Sequence, residues 1–252
     1  MKDNLVREYE RVDDLQLKGL KIIQDPKGFC YGVDAVLLAN FLKIKRRARV
    51  VDLGTGTGII PLLIAGKSSA TKIYGVEIQD TVAEMANRSI KYNDLEERIE
   101  IVNIDLNRVF EKLEPDSFDV VTSNPPYMPN EKGLKNPNDM KAISRHEIKC
   151  NLEDVIRTAS KLLKHNGHFY MIHRPQRLVD ILCICRQYNL EPKVIRFVQP
   201  NSKKKPNIVL VKCIKYAKPE LRLLDPLCVY QENGEYTQEL KDIYNNTSIE
   251  TI

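Results

Sequence analysis

The run Phe118-Asp119-Val120-Val121-Thr122-Ser123-Asn124-Pro125-Pro126-Tyr127 ends an apolar stretch on a carboxamide, two prolines and a phenol. The apolar and β-branched residues 118–121 read as a buried strand, and a residue before proline is driven to extended backbone, so Asn124 sits at a strand's carboxyl end. Proline fixes its own φ and has no N–H. The carbonyls of Asn124 and Pro125 are therefore stiff acceptors free to face a cleft. Such a pair suits a planar group bearing an NH₂, with Asn124 Oδ1 and the Pro125 carbonyl taking its two hydrogens and Tyr127 stacking on its face. A Pro-Pro turn closing an ordinary core strand would use the same residues, and the choice rests on what lies upstream.

Upstream, Val50-Val51-Asp52-Leu53-Gly54-Thr55-Gly56-Thr57-Gly58-Ile59-Ile60-Pro61 passes from a strand through a glycine-rich turn into a helix. The glycines permit a sharp turn and close backbone approach to a ligand. The spacing is Gly-x-Gly-x-Gly, which differs from the nicotinamide fingerprint, and no Gly-Lys-Ser/Thr follows for a phosphate loop. Asp52 would repel a pyrophosphate but could hold an ammonium group. One strand later Glu77 ends Ile73-Tyr74-Gly75-Val76-Glu77, where a ribose diol is gripped in sheets of this type. Asp105 closes the next apolar run, 99–104. A ligand with an amino acid end, a ribose and an exocyclic amine matches this row of acids.

S-adenosylmethionine is such a ligand, and these residues resemble the class I S-adenosylmethionine-dependent methyltransferases. With Asn124-Pro125-Pro126-Tyr127 they are similar to the amino-methyltransferase branch. The resemblance implies that Gly54, Thr55, Gly56 and Gly58 pass under the methionine part beside Asp52. It also implies that Glu77 with Ile78 holds the ribose, and that Asp105 with Leu106 holds the adenine. Phe29-Cys30-Tyr31-Gly32-Val33-Asp34 resembles the segment that lids the methionine end, which adds Tyr31, Gly32 and Asp34 to the cofactor set. Asn124, Pro125, Pro126 and Tyr127 are the implied catalytic residues. No general base is required, because the activated methyl belongs to the cofactor. Among the histidines only His146, in Ser144-Arg145-His146-Glu147, is kept as a candidate.

The same tetrapeptide serves adenine N6 in nucleic acid and glutamine amides in protein release factors. The lead 27–38 and the compact C-terminus resemble bacterial enzymes that methylate N6 of the adenosine next to the anticodon of valine tRNA. A tRNA partner is the expectation. A release-factor glutamine methyltransferase, a non-catalytic RNA-binding protein on the same scaffold, and a DNA methyltransferase stay as alternatives. Asn201-Ser202-Lys203-Lys204-Lys205-Pro206 is a basic turn, and Lys132 and Lys135 lie in the loop after the tetrapeptide; either set could meet phosphates. Lys43 to Arg49 forms a third basic patch. Glu131, Asp139 and Glu147 partly offset the charge of the loop.

These residues need a scaffold that brings successive strand ends together. Apolar runs near 49–53, 72–77, 99–103, 118–123, 167–172, 192–198 and 207–214 alternate with helical periods near 58–66, 80–93, 151–163 and 175–188. Such alternation predicts a doubly wound, mostly parallel α/β sheet. The resemblance makes it Rossmann-like and seven-stranded, with helices on both faces. A helix is expected over 33–41, after the turn Asp25-Pro26-Lys27-Gly28. The alternating residues 14–24 predict a small solvent-facing hairpin or strand. Three segments follow: an extension 1–48 lidding the cofactor, a core 49–215, and a tail 216–252 on the surface with a short helix over 238–244. Met128 to Lys149 lacks periodicity, and a loop that long is usually functional or disordered.

Bulk composition sets outer limits. A chain of 252 residues with net charge +5 can bury one sizeable core and tolerates an anionic partner without demanding one. The polar N-terminus and the lack of any long apolar run exclude a signal peptide and a membrane span, so a cytoplasmic protein is expected. Six scattered cysteines, four of them in apolar runs, predict reduced and mostly buried thiols and no metal site.

Overall fold

The computed structural model describes residues 3–28, 30–125, 151–246 and 248–251. Strands β1 (Arg11–Asp14) and β2 (Lys21–Gln24) form an antiparallel hairpin, followed by helix α1 (Val33–Phe41) and the short β3 (Ile44–Lys45). The core then runs β4 (Arg49–Leu53), α2 (Ile59–Lys67), β5 (Lys72–Glu77), α3 (Asp80–Tyr92), β6 (Ile99–Asn103), a 3-10 helix Leu106–Glu111, and β7 (Phe118–Ser123). Next come α4 (Leu152–Leu162), β8 (Leu163–His173), α5 (Leu178–Gln187), β9 (Leu190–Gln199) and β10 (Ile208–Lys215). The chain finishes with β11 (Arg222–Cys228), α6 (Gln238–Asn245) and β12 (Glu250–Thr251).

The main sheet has the order β11-β9-β10-β8-β7-β4-β5-β6. Only β10 runs against its neighbours; the other strands are parallel. The chain leaves β4 toward β5 and β6 and returns to β7 on the other side of β4. That reversal makes β4 and β7 the topological switch point, where open α/β sheets bind ligands beyond the strands' carboxyl ends.

Alternation along each strand divides the core between two faces. Val50 and Val120 pack in the layer under α1, α2 and α3, while Val51 and Val121 pack in the layer under α4 and α5. Every residue of α2 is buried, as befits a helix apolar all round. Its Pro61 lies in the first turn, where a missing N–H breaks no helical bond. Gly66 is required by packing, since a Cβ there would lie 2.6 Å from Leu17 Cδ2. In the first turn of α4, Asp154 N donates to Asn151 Oδ1 at 2.9 Å and Asn151 N to Asp154 Oδ2 at 3.2 Å, a capping box.

Three expectations are corrected. The hairpin forms and its β1 faces solvent, but β2 does not: Ile22 and Ile23 are fully buried against α3, and Ile23 N donates to Ser89 Oγ at 2.9 Å. The sheet has eight strands rather than seven, because β11 adds to β9 at the edge. The stretch after Lys215 is accordingly only in part a surface tail. Leu227, Val229, Leu240 and Ile249 are buried, and β12 pairs with β3. A register shift between Leu224 and Leu227 accommodates Pro226, which an edge strand can carry.

The hairpin is fastened by Arg88 of α3, whose guanidinium reaches Glu10 at 2.5 and 2.6 Å, Glu84 at 2.8 Å and the Leu5 carbonyl at 2.6 Å. The Glu10 side chain is fully buried and that of Arg88 is 12% exposed. Arg88→Ala strands the Glu10 carboxylate and should lower unfolding free energy by about 2–3 kcal/mol, read from urea denaturation. A loss below about 0.5 kcal/mol, the range of ordinary surface changes, would show that the clamp is unimportant.

Candidate active site

The glycine turn leaves the buried end of β4 with φ of 72°, 56° and 84° at Gly54, Gly56 and Gly58, a region where side chains are strained. Gly54 N and Thr55 N both donate to the Val76 carbonyl, at 3.0 and 2.9 Å, which ties the turn to β5. A Cβ on Gly58 would meet Ala86 of α3 at 3.4 Å, so that glycine also serves packing. At Gly54 and Gly56 a Cβ would find no atom within 4 Å. The space above these two is open, and the backbone beneath it is bare.

Glu77, at the end of β5, accepts from Gly56 N at 3.0 Å and from Gln79 N at 3.0 Å. Gln79 Nε2 adds a bond to Oε1 at 3.4 Å, so of the carboxylate's about four acceptor sites the one left open for a diol is on Oε2. Ile78 follows it, half-buried. Asp105 lies one strand further, half-buried, and caps the 3-10 helix through Asn107 N at 2.8 Å; Leu106 beside it is buried. The cap uses Oδ1 alone.

Asp52 is fully buried in β4. Thr122 of β7 donates to its Oδ1 at 2.6 Å, while Asp52 Oδ2 and Thr55 Oγ1 have no hydrogen-bond partner. Burial pushes the carboxyl up to about 6, opposed by the Thr122 bond and by the nearby Thr55 hydroxyl, whose approach falls short of hydrogen-bond geometry, and reinforced by the charge of Glu77. A buried acceptor left open beside a bare turn is what an ammonium group would complete. Among the described residues, these orphaned atoms, the open space over Gly54 and Gly56, and the spare capacity of Glu77 fit the cofactor expected from the sequence.

β7 brings the acceptor end to the same place. Asp52 pairs with Thr122 and Leu53 with Ser123, and Ser123 Oγ donates to the Leu53 carbonyl at 2.9 Å. Asn124 and Pro125, both half-buried, therefore emerge directly beside the glycine turn. Thr122 and Ser123 were not singled out by the sequence reading. Their signal was present as two hydroxyls interrupting an apolar strand just before its end. Tyr31 and Asp34 flank Gly32, the N-cap of α1; Tyr31 N donates to the buried Gln24 side chain at 2.9 Å. Tyr31 also shares a small cavity with Ile59, the first residue of α2, which brings the expected lid close to the turn.

Lys203, Lys204 and Lys205 lie in the β9–β10 turn, on the same carboxyl edge but two strands beyond β8. Lys203 is engaged with Glu232 at 2.9 Å. Pro126, Tyr127, Lys132, Lys135, His146, Cys150 and the expected loop 128–149 lie outside the described residues, as does Phe29. His168 and His173 are held neutral, each lowered to about 4 by burial. The five described cysteines are free, but they are not mostly buried as expected: Cys185 and Cys213 are buried, Cys30 and Cys228 half-buried and Cys183 exposed. Among the described residues no helix is long and apolar enough to cross a membrane and no metal-binding cluster occurs.

The raised carboxyl of Asp52 has a stability consequence with a definite sign. Its folded value exceeds the unfolded one, so its ionisation costs stability increasingly from about pH 4 and fully above about pH 6, and that penalty disappears as pH falls toward 4. Asp52→Asn should stabilise the cofactor-free protein at pH 8, by on the order of 3 kcal/mol, with little gain at pH 4, read by chemical denaturation. An equal effect at both pH values would contradict a strained buried carboxylate.

Comparison with known proteins agrees with this geometry. The profile of the methyltransferase small domain family matches residues 20–182. A Bacteroides fragilis protein named tRNA1(Val) (adenine(37)-N6)-methyltransferase is 28% identical, over 91% of this chain and 96% of its own. A protein of the same name from Haemophilus influenzae is 25% identical, over 90% and 96%. Among solved structures, a predicted O-methyltransferase from Agrobacterium tumefaciens superposes with a TM-score of 0.70 at 27% identity, over 85% of this chain and 97% of that one. The fold of geranyl diphosphate methyltransferase, solved with geranyl diphosphate and sinefungin, matches with a TM-score of 0.57 at 13% identity, over 73% and 78%. The chain belongs to the methyltransferase small domain family.

Proposed function

We propose that this methyltransferase uses S-adenosylmethionine to methylate the exocyclic N6 of an adenosine in tRNA, the one next to the anticodon of valine tRNA. The observation that carries the reading is the emergence of Asn124 and Pro125 at the switch point, one strand from the glycine turn and in register with it. The names of relatives that align over nine-tenths of this chain support the substrate.

S-adenosylmethionine supplies an activated methyl group on its sulfonium. The chain's own residues hold it and aim the acceptor. Gly54, Thr55 and Gly56 with Asp52 receive the amino acid end, Glu77 and Ile78 the ribose, and Asp105 and Leu106 the adenine, with Tyr31, Gly32 and Asp34 covering the entrance. Asn124 Oδ1 and the Pro125 carbonyl accept the two hydrogens of the target amine. Those bonds orient its delocalised lone pair and strengthen as positive charge develops on nitrogen, so they act mostly in the transition state. Tyr127 supplies a stacking face. Lys204, Lys205, Lys132 and Lys135 meet phosphates of the RNA, and the adenosine of a loop is extruded at less expense than one in a duplex. In this reading residues 49–215 carry the chemistry, 1–48 cover the cofactor, and the enzyme works in the cytoplasm with its tRNA.

Incubation with labelled cofactor and total tRNA from cells lacking the gene should mark one tRNA species, digesting to N6-methyladenosine. Unlabelled tRNA, with label entering a release factor offered in a parallel incubation, would replace this reading with glutamine methylation. Asn124→Ala should slow turnover about 10²–10³-fold, with cofactor affinity by calorimetry nearly unchanged. Normal turnover in that variant would remove Asn124 from its role.

A further inference from the structure

Beyond β11 the chain makes a small hairpin that neither the core nor the cofactor cradle needs. Tyr230 and Tyr236 are bridge partners in it, closed by Gln231 N donating to the Glu235 carbonyl at 2.7 Å and by Gly234 at a φ of 84°. Their rings stack at 5.4 Å and 27°, and Tyr236 stacks in turn on Tyr244 of α6 at 6.1 Å and 14°. Tyr230 and Tyr236 are nevertheless 42% and 41% exposed. The hairpin is anchored without them. Val229 and Leu240 are buried, Tyr230 N donates to the Pro200 carbonyl at 2.8 Å, and Thr237 N donates to the Val229 carbonyl at 3.0 Å.

Its position is equally specific. Pro200 begins the basic turn, so the tyrosines stand beside Lys203, Lys204 and Lys205 on the carboxyl edge of the sheet. Glu232 is matched by Lys203, Glu235 by Lys241 and Glu239 by Arg196, while Asp225 of β11 and Asp242 of α6 form no ion pair among the described residues. Lys204 and Lys205 are exposed and form no ion pair among the described residues, which leaves two ammonium groups beside the rings open to a phosphate. At its other end the ladder reaches inward, for Tyr244 lines the same small cavity as Tyr31. β11 lies four strands from β7, about 19 Å at about 4.8 Å per strand, a span that a few nucleotides bridge.

We propose that Tyr230, the outer ring of a ladder in which Tyr236 is stacked between Tyr230 and Tyr244, is a stacking face for an unpaired base of the RNA loop, with Lys204 and Lys205 on its backbone phosphates. The assignment rests on the tRNA reading above and extends it to the surface that holds the loop while one base enters the cleft. Stacked aromatics beside cations bind single strands with little regard to sequence, because every base has a π-face.

The chain contains no tryptophan, so Tyr230→Trp installs a single fluorescent reporter. An anticodon stem-loop of valine tRNA should quench it, and a blunt RNA duplex should not. Tyr230→Leu should weaken stem-loop binding about tenfold, Tyr230→Phe should retain it, and both should bind cofactor as the wild type does. Lys204→Ala with Lys205→Ala should reduce the salt slope of binding by about 2. A wild-type protein that leaves the stem-loop unbound overturns both readings. A wild type that binds and methylates, with a leucine variant that binds equally and a tryptophan that is not quenched, overturns the platform alone.

Discussion

The in-register pairing of β4 with β7 is the constraint from which the site follows. Two parallel strands separated in sequence by three crossovers are aligned residue for residue, Asp52 against Thr122 and Leu53 against Ser123. The alignment is held by polar bonds as well as by the ladder, because Thr122 and Ser123 each reach across to β4. A slip of one residue would carry the side chain of Asn124 to the other face of the sheet. It would also bury Thr122 without its acceptor. Stability and function thus ask for the same register.

That register places an uncompensated charge at the heart of the fold. Asp52 receives one hydrogen bond, sits out of water and keeps an open oxygen. A protein built for stability alone would not retain it, since a buried carboxylate without full pairing is costly. Its position beside a turn whose glycines leave open space above them gives the arrangement a purpose: the cradle is incomplete until a cation arrives. Glu77 shows the complementary design. Its carboxylate is fixed by two backbone donors before any ligand binds, so little ordering remains to be done on binding.

How much of this was legible in the sequence varied with the range of the forces involved. The bounds of β4, β5, β6 and β7 followed from short apolar runs ending in polar residues, since burial on both faces leaves nowhere for a charge until the strand stops. The glycine turn and the proline pair were legible for a similar reason: each fixes its own backbone. The burial of β2 was not, because its partners, Ser89 of α3 and Asn93 just past that helix, lie far along the chain. β11 was hidden by Pro226 and by exposed Leu223 and Leu224, which look like a loop and make sense only at a sheet edge. The matching of Lys203 by Glu232, like the stacking of three tyrosines spread over residues 230–244, required the hairpin to be seen.

Diffraction from crystals grown with S-adenosylhomocysteine tests the central arrangement most directly. The account predicts the ribose hydroxyls on Glu77, the ammonium at the open oxygen of Asp52, and the sulfur facing the carboxamide of Asn124 across a gap sized for a methyl group and an amine. Density placing the thioether away from the end of β7, or Asn124 turned from it with Pro125 sealed beneath other residues, would contradict the account.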